Sequence, residues 1–160
     1  MIALDTNVVS ELARKQPEPA VIEWLDSLPA AQFAITAVTA AELLHGVSRL
    51  PAGQRKTELS RVIGQILDED FQDRTEPFTR QAAGHYAEIV TSRQRAGQPI
   101  GMADAQIAAI CRSCDMTLAT RNTPDFVGTG IRLIDPWIAD LTSAPGSRAT
   151  RRRRPSPRIS

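Results

Sequence analysis

The sequence predicts an α/β fold, a three-layer sandwich in which a mainly parallel sheet of four to five strands carries helices on both faces. One observation predicts it and two are compatible with it. Short apolar runs with strand character alternate with amphipathic runs along the chain, the order expected of parallel strands joined by crossover helices. A length of 160 residues suits a single domain with a core large enough to stand without disulfides or a structural metal. The two cysteines, Cys111 and Cys114, make no disulfide framework.

Ile2-Ala3-Leu4 reads as the first strand, and Asn7 to Ala13 as a helix turning off its end. Pro19 opens a second helix, since proline suits a first turn, with Val21, Ile22, Leu25 and Leu28 on its apolar face. Phe33 to Thr36 is the second strand. Thr39 is expected to start the next helix, with Ala40, Leu43, Leu44 and Val47 on one stripe. Leu59, Val62, Ile63, Ile66 and Leu67 repeat at helical spacing. Thr75 to Phe78 has weak strand character. Ala82, Ala83, Tyr86, Ile89 and Val90 mark a helix ended by Gly97 and Pro99. Met102 to Cys114 is the most apolar helix. Thr117 to Thr120 and Ile131 to Ile134 are the last strands, and Trp137 is expected to open a short closing helix.

The small net charge of +1 hides a division near Leu141. The body before it holds thirteen basic and eighteen acidic residues, a net charge of −5, while the following stretch holds six arginines and no acid. Thr142 to Ser160 is rich in Ser, Pro, Gly and Arg and cannot bury enough surface to offset its ordering entropy, so a disordered tail is expected. Its run Arg151 to Arg154 could touch RNA or remain solvated without a role. The expected domain is therefore 1–141. No apolar run reaches the length of a membrane span, and the N-terminus has no signal-peptide pattern. A cytoplasmic location is the simplest expectation.

In parallel α/β sheets, ligands bind at the carboxyl ends of the strands. Asp5 follows the first strand directly, and Asn122 and Asp125 follow the strand ending at Thr120. Glu42 and Asp104 are expected in the first turns of helices that begin near the same edge. Each has a local alternative: Thr39 to Glu42 fits a capping box, Asp104 suits a helix dipole, Asp5 can cap a helix, and Asn122 to Asp125 fits a turn. As a set they are four acids converging on one edge. Carboxylates held close together repel and call for a cation or a shared proton. Oxygen donors suit Mg²⁺ or Mn²⁺, which can activate water and brace a phosphate leaving group.

Leu4-Asp5-Thr6-Asn7, Thr39-Ala40-Ala41-Glu42-Leu43, Met102-Ala103-Asp104-Ala105 and Ala119 to Phe126 resemble, in order and spacing, the signature blocks of PIN-domain proteins. The branch they resemble is that of the VapC and FitB-like toxins of bacterial toxin–antitoxin pairs, over Met1 to about Leu141. The resemblance implies a PIN-like sandwich, Mg²⁺- or Mn²⁺-dependent endoribonuclease activity using metal-activated water, a homodimer, and inhibition by a cognate antitoxin. It implies Asp5 and Asp104 as principal metal ligands, Glu42 as the third acid, and Thr6 as support for Asp5. Many relatives carry an acid where Asn122 stands here. Asp125 is then expected to provide the fourth charge, with Asn122 positioning water or metal and Thr120 supporting them.

Other signals are weaker. Cys111 and Cys114 have the spacing of a redox pair, but fall at a helix end on an apolar stripe, and read better as buried small residues. His45 could face the cleft, and Arg112 and Arg121 are candidate phosphate contacts. Gly128-Thr129-Gly130 lacks the spacing of a dinucleotide loop. Two competing functions remain. One is a phosphatase or phosphotransferase with Asp5 as nucleophile, disfavoured because Asn7 stands where its acid/base would. The other is a non-catalytic RNA-binding module, disfavoured because all three principal acids are present.

Overall fold

The computed structural model describes residues 1–139, so the expected tail 142–160 lies outside the described residues. Strands β1 (Ile2–Leu4), β2 (Phe33–Thr36), β3 (Thr75–Glu76), β4 (Thr117–Ala119) and β5 (Leu133–Ile134) form one sheet in the order β3-β2-β1-β4-β5. All four pairings are parallel, with Ala3 opposite Ala34 and Leu118. Helices α1 (Thr6–Leu12), α2 (Pro19–Asp26), α3 (Ala37–Ser48), α4 (Gln54–Gln65), α5 (Arg80–Arg95), α6 (Met102–Ser113) and α7 (Thr123–Phe126) connect them.

The central strands β1, β2 and β4 are buried on both faces except at Thr117, the edge strands β3 and β5 are half-buried, and side-chain alternation divides the core in two. Ile2, Leu4, Phe33 and Ile35 join Val8 and Val9 of α1, Val21 and Trp24 of α2, Leu43 of α3 and Ile63 of α4. Ala3, Ala34 and Leu118 face the other way, onto Ile89 of α5 and Ile107, Ala108 and Ile110 of α6. The alanines on that second face have little side chain to hold α6 away from the sheet. The result is the expected helix–sheet–helix sandwich. Among the described residues no helix is long and apolar enough to cross a membrane.

Four expected details differ. Helix α3 begins at Ala37, capped by Thr36, whose hydroxyl accepts from the Thr39 N–H at 3.0 Å. Thr39 is thus inside the helix, its Thr39–Glu42 capping box is not formed, and Glu42 falls in the second turn. The helical repeat through Leu67 ends at Gln65 and widens into a π-helical turn, Ile66–Asp70. The two edge strands are shorter than their sequence runs, two residues each. Trp137 opens no helix: its N–H donates to Asp135 Oδ1 at 2.9 Å, and the chain turns there.

Candidate active site

Asp5 leaves β1 at the carboxyl edge and caps α1. Its own N–H still donates to Ala119 O at 2.9 Å, so the residue is fixed to β4 as well as β1. Only 6% of its surface is exposed. The carboxylate accepts three donors. Oδ1 takes the Thr6 N–H at 2.8 Å, and Oδ2 takes the Thr120 hydroxyl at 2.6 Å and the Asn7 carboxamide N–H at 3.0 Å.

Glu42 reaches the same edge from α3. The Thr6 hydroxyl donates to Glu42 Oε2. Thr6 therefore ties two acids together, its N–H on Asp5 and its hydroxyl on Glu42. Thr120 is fully buried and acts in a similar way at the end of β4, donating to Asp5 while accepting the Asn122 N–H at 3.0 Å. Asp104 lies in the first turn of α6, half-buried. Asp125 is exposed in α7, with its N–H donating to Asn122 O at 3.0 Å.

The electrostatics join these acids. The Asp104 carboxyl is held above the usual carboxylate range, first by burial and then by the negative charges of Asp5, Asp125 and Glu42. A cation among them would reverse that penalty, and the donors are all oxygen, so the set fits a hard divalent ion. Among the described residues no three acidic, imidazole or thiol side chains converge tightly enough to hold an ion as they stand. The acids share a field, and side-chain rotation is needed to bring them onto one ion.

Asn7, part of the first signature block and otherwise read only as an argument against a phosphatase, holds a position in the site that was not expected of it. Its carboxamide donates to Asp5 Oδ2 and to Thr120 Oγ1 at 3.2 Å, and its Oδ1 accepts the Arg121 N–H at 3.2 Å. A polar residue two places after a strand-end acid was the available signal. With both ends of the carboxamide engaged, nothing at this position offers the acid/base that an Asp5 nucleophile would want.

The weaker candidates separate. Arg112 pairs with Glu88 at 3.2 Å, and Arg121 stacks over the Trp137 ring at 5.2 Å. His45 is exposed on α3. Cys111 is buried, and burial chiefly pushes its thiol up to about 12, unlike a redox thiolate. Cys114 is exposed, not buried as its stripe suggested, because it is the cap residue where α6 ends.

Comparison with known proteins agrees with the fold. A family model described as the PIN domain matches residues 2–126. The chain is 38% identical to "VapC ribonuclease Y4jK" of Sinorhizobium fredii over 138 residues, 86% of this chain and 98% of that protein. It is 39% identical to "Toxin FitB" of Neisseria gonorrhoeae, covering 86% of this chain and 99% of the toxin. Among solved structures, a chain of FitAB bound to a DNA fragment superposes with a TM-score of 0.81 at 38% identity, covering 88% of this chain and 98% of that one.

Proposed function

This chain belongs to the PIN-domain family, and we propose that it is the endoribonuclease toxin of a toxin–antitoxin pair, hydrolysing RNA phosphodiester bonds at Asp5, Glu42, Asp104 and Asp125 with Mg²⁺, or Mn²⁺ in its place. The observation that carries the catalytic reading is geometric: Thr6 bonds both Asp5 and Glu42 at the carboxyl edge, and Asp104 in the first turn of α6 lies close enough to feel the charge of both. Asp5 and Asp104 are the principal ligands and Glu42 the third. When bound, the cation supplies an activated water and positive charge to offset that building on the phosphate. The protein's part is orientation: Thr6 and Thr120 fix Asp5, Thr6 aims Glu42, and Thr120 holds the turn that carries Asn122 toward Asp125.

The partners on this reading are RNA, a cognate antitoxin and a second copy of the chain, and the compartment is the cytoplasm. Purified protein is expected to cleave RNA in millimolar Mg²⁺ and to lose that activity in excess EDTA. Mg²⁺ at about a hundred times its Kd is also expected to stabilise the fold by about 2.7 kcal/mol, read as a rise in Tm. Cleavage that persists in EDTA would sink the metal-dependent reading.

The six arginines after Leu141 extend the proposal. We propose that residues 142–160 contribute non-specific attraction to RNA. Deleting them is expected to flatten the dependence of log affinity on log salt, by about 0.7 for each RNA phosphate that the arginines had neutralised. An unchanged slope would make the segment a bystander.

A further inference from the structure

Resting on the metal-dependent reading above, we infer that Asn7 is a positioning residue for Asp5, reserving one carboxylate oxygen so that the other alone is presented to a cation. The geometry is a matter of lone pairs. A carboxylate has roughly two acceptor sites on each oxygen. On Asp5, Oδ2 already receives two donors, the Thr120 hydroxyl at 2.6 Å and the Asn7 N–H at 3.0 Å. Oδ1 receives one, the Thr6 N–H at 2.8 Å, and keeps a site free.

Asn7 cannot turn its carboxamide over without losing these bonds. Its Oδ1 is committed to the Arg121 N–H, which accepts nothing, so the NH₂ group must face Asp5 and Thr120. The same side chain therefore fills the second site of Asp5 Oδ2 and fastens the Thr120–Asn122 turn beside it. Without Asn7, the Thr6 N–H on Oδ1 and the Thr120 hydroxyl on Oδ2 still set the carboxylate plane, but Oδ2 regains a free site that competes for the cation.

Metal affinity and fold stability are expected to respond differently to the loss of Asn7. In the full-length protein, Asn7→Ala is expected to weaken Mn²⁺ binding, followed by electron paramagnetic resonance of the free ion, by about 10- to 100-fold. Its Tm in EDTA is expected to stay within about 4 °C of wild type. Asn7→Ser keeps one donor at this place and should fall between the two in Mn²⁺ affinity. A residue that only anchors the turn would lower Tm and leave the Kd alone. If wild type binds Mn²⁺ and cleaves RNA while both variants bind Mn²⁺ as tightly, the inference is overturned and the functional reading stands. If wild type does neither, the functional reading falls and takes this inference with it. Should Asn7→Ala fail to fold, an unchanged Kd in Asn7→Ser is the overturning result.

Discussion

Asp104→Asn is expected to lower RNA cleavage in Mg²⁺ by at least about a hundredfold while making the metal-free protein more stable. The two effects share one cause. Loss of residues that merely orient metal ligands costs about 10- to 100-fold, so loss of a ligand's charge should reach or exceed the upper end. Without a cation, the same charge is a burden, since burial and then Asp5, Asp125 and Glu42 oppose its ionisation. The folded state therefore holds the Asp104 proton more tightly than the unfolded chain does. The stabilisation from that proton is complete below the unfolded carboxyl's range and is lost as pH rises through the raised folded value. In EDTA at pH 7 the Asn variant should melt above wild type, and the gap should close as pH falls toward the ordinary carboxylate range. Saturating Mg²⁺ should reverse the order, because wild type gains binding free energy that the variant lacks. Wild-type cleavage rates in the variant would remove Asp104 from the site, and a variant less stable than wild type in EDTA would contradict the electrostatic account.

What the sequence made legible was the frame and the edge. The apolar runs at Ile2, Phe33 and Thr117 are strands, and Asp5 follows its strand as the topology rule expects. Asp104 is in a first turn. The acids are recognisable because their order along the chain is compatible with one edge. The bonds that orient them were not legible, since they join residues distant in sequence. Thr6 and Glu42 are 36 positions apart, and Asp5 and Thr120 are 115. The start of α3 shows the same limit. Thr36 and Thr39 are both good caps, and the choice fell to Thr36 because it is also the last residue of β2, paired opposite Glu76 of β3. Trp137 follows a proline and looked like a helix opening, but the Asp135 side chain took its N–H instead.

The acids also differ in how the fold holds them. Asp5 is fixed by two strands and three donors, whereas Asp125 is exposed, held by its N–H on Asn122 O and followed by the buried Phe126. If the burial of Phe126 sets the path of α7, a substitution outside the acidic set is expected to disturb Asp125.

Phe126→Ala is the substitution expected to cost most in stability, about 3–5 kcal/mol. Phe126 is 1% exposed, the largest fully buried side chain of the described residues, and lies in the α5–α6 core with Ile107, Ile110 and Leu118. Removing the ring leaves a cavity that the alanine-rich face around it cannot collapse to fill. For a domain of this size, the loss corresponds to a fall in Tm of roughly 6–20 °C, measured by circular dichroism in EDTA. Val127→Ala, next in sequence but 57% exposed, should stay within about 0.5 kcal/mol of wild type. The pair isolates packing from chain position. The Phe126 carbonyl also accepts the buried Thr129 hydroxyl at 2.6 Å, so the ring and the turn after α7 are held together. Cleavage by Phe126→Ala, assayed well below its own Tm, should then fall further than its folded fraction explains, because Asp125 loses its anchor. A Tm equal to that of Val127→Ala would refute the packing argument. A rate that simply tracks the folded fraction would show that Asp125 keeps its place without the ring.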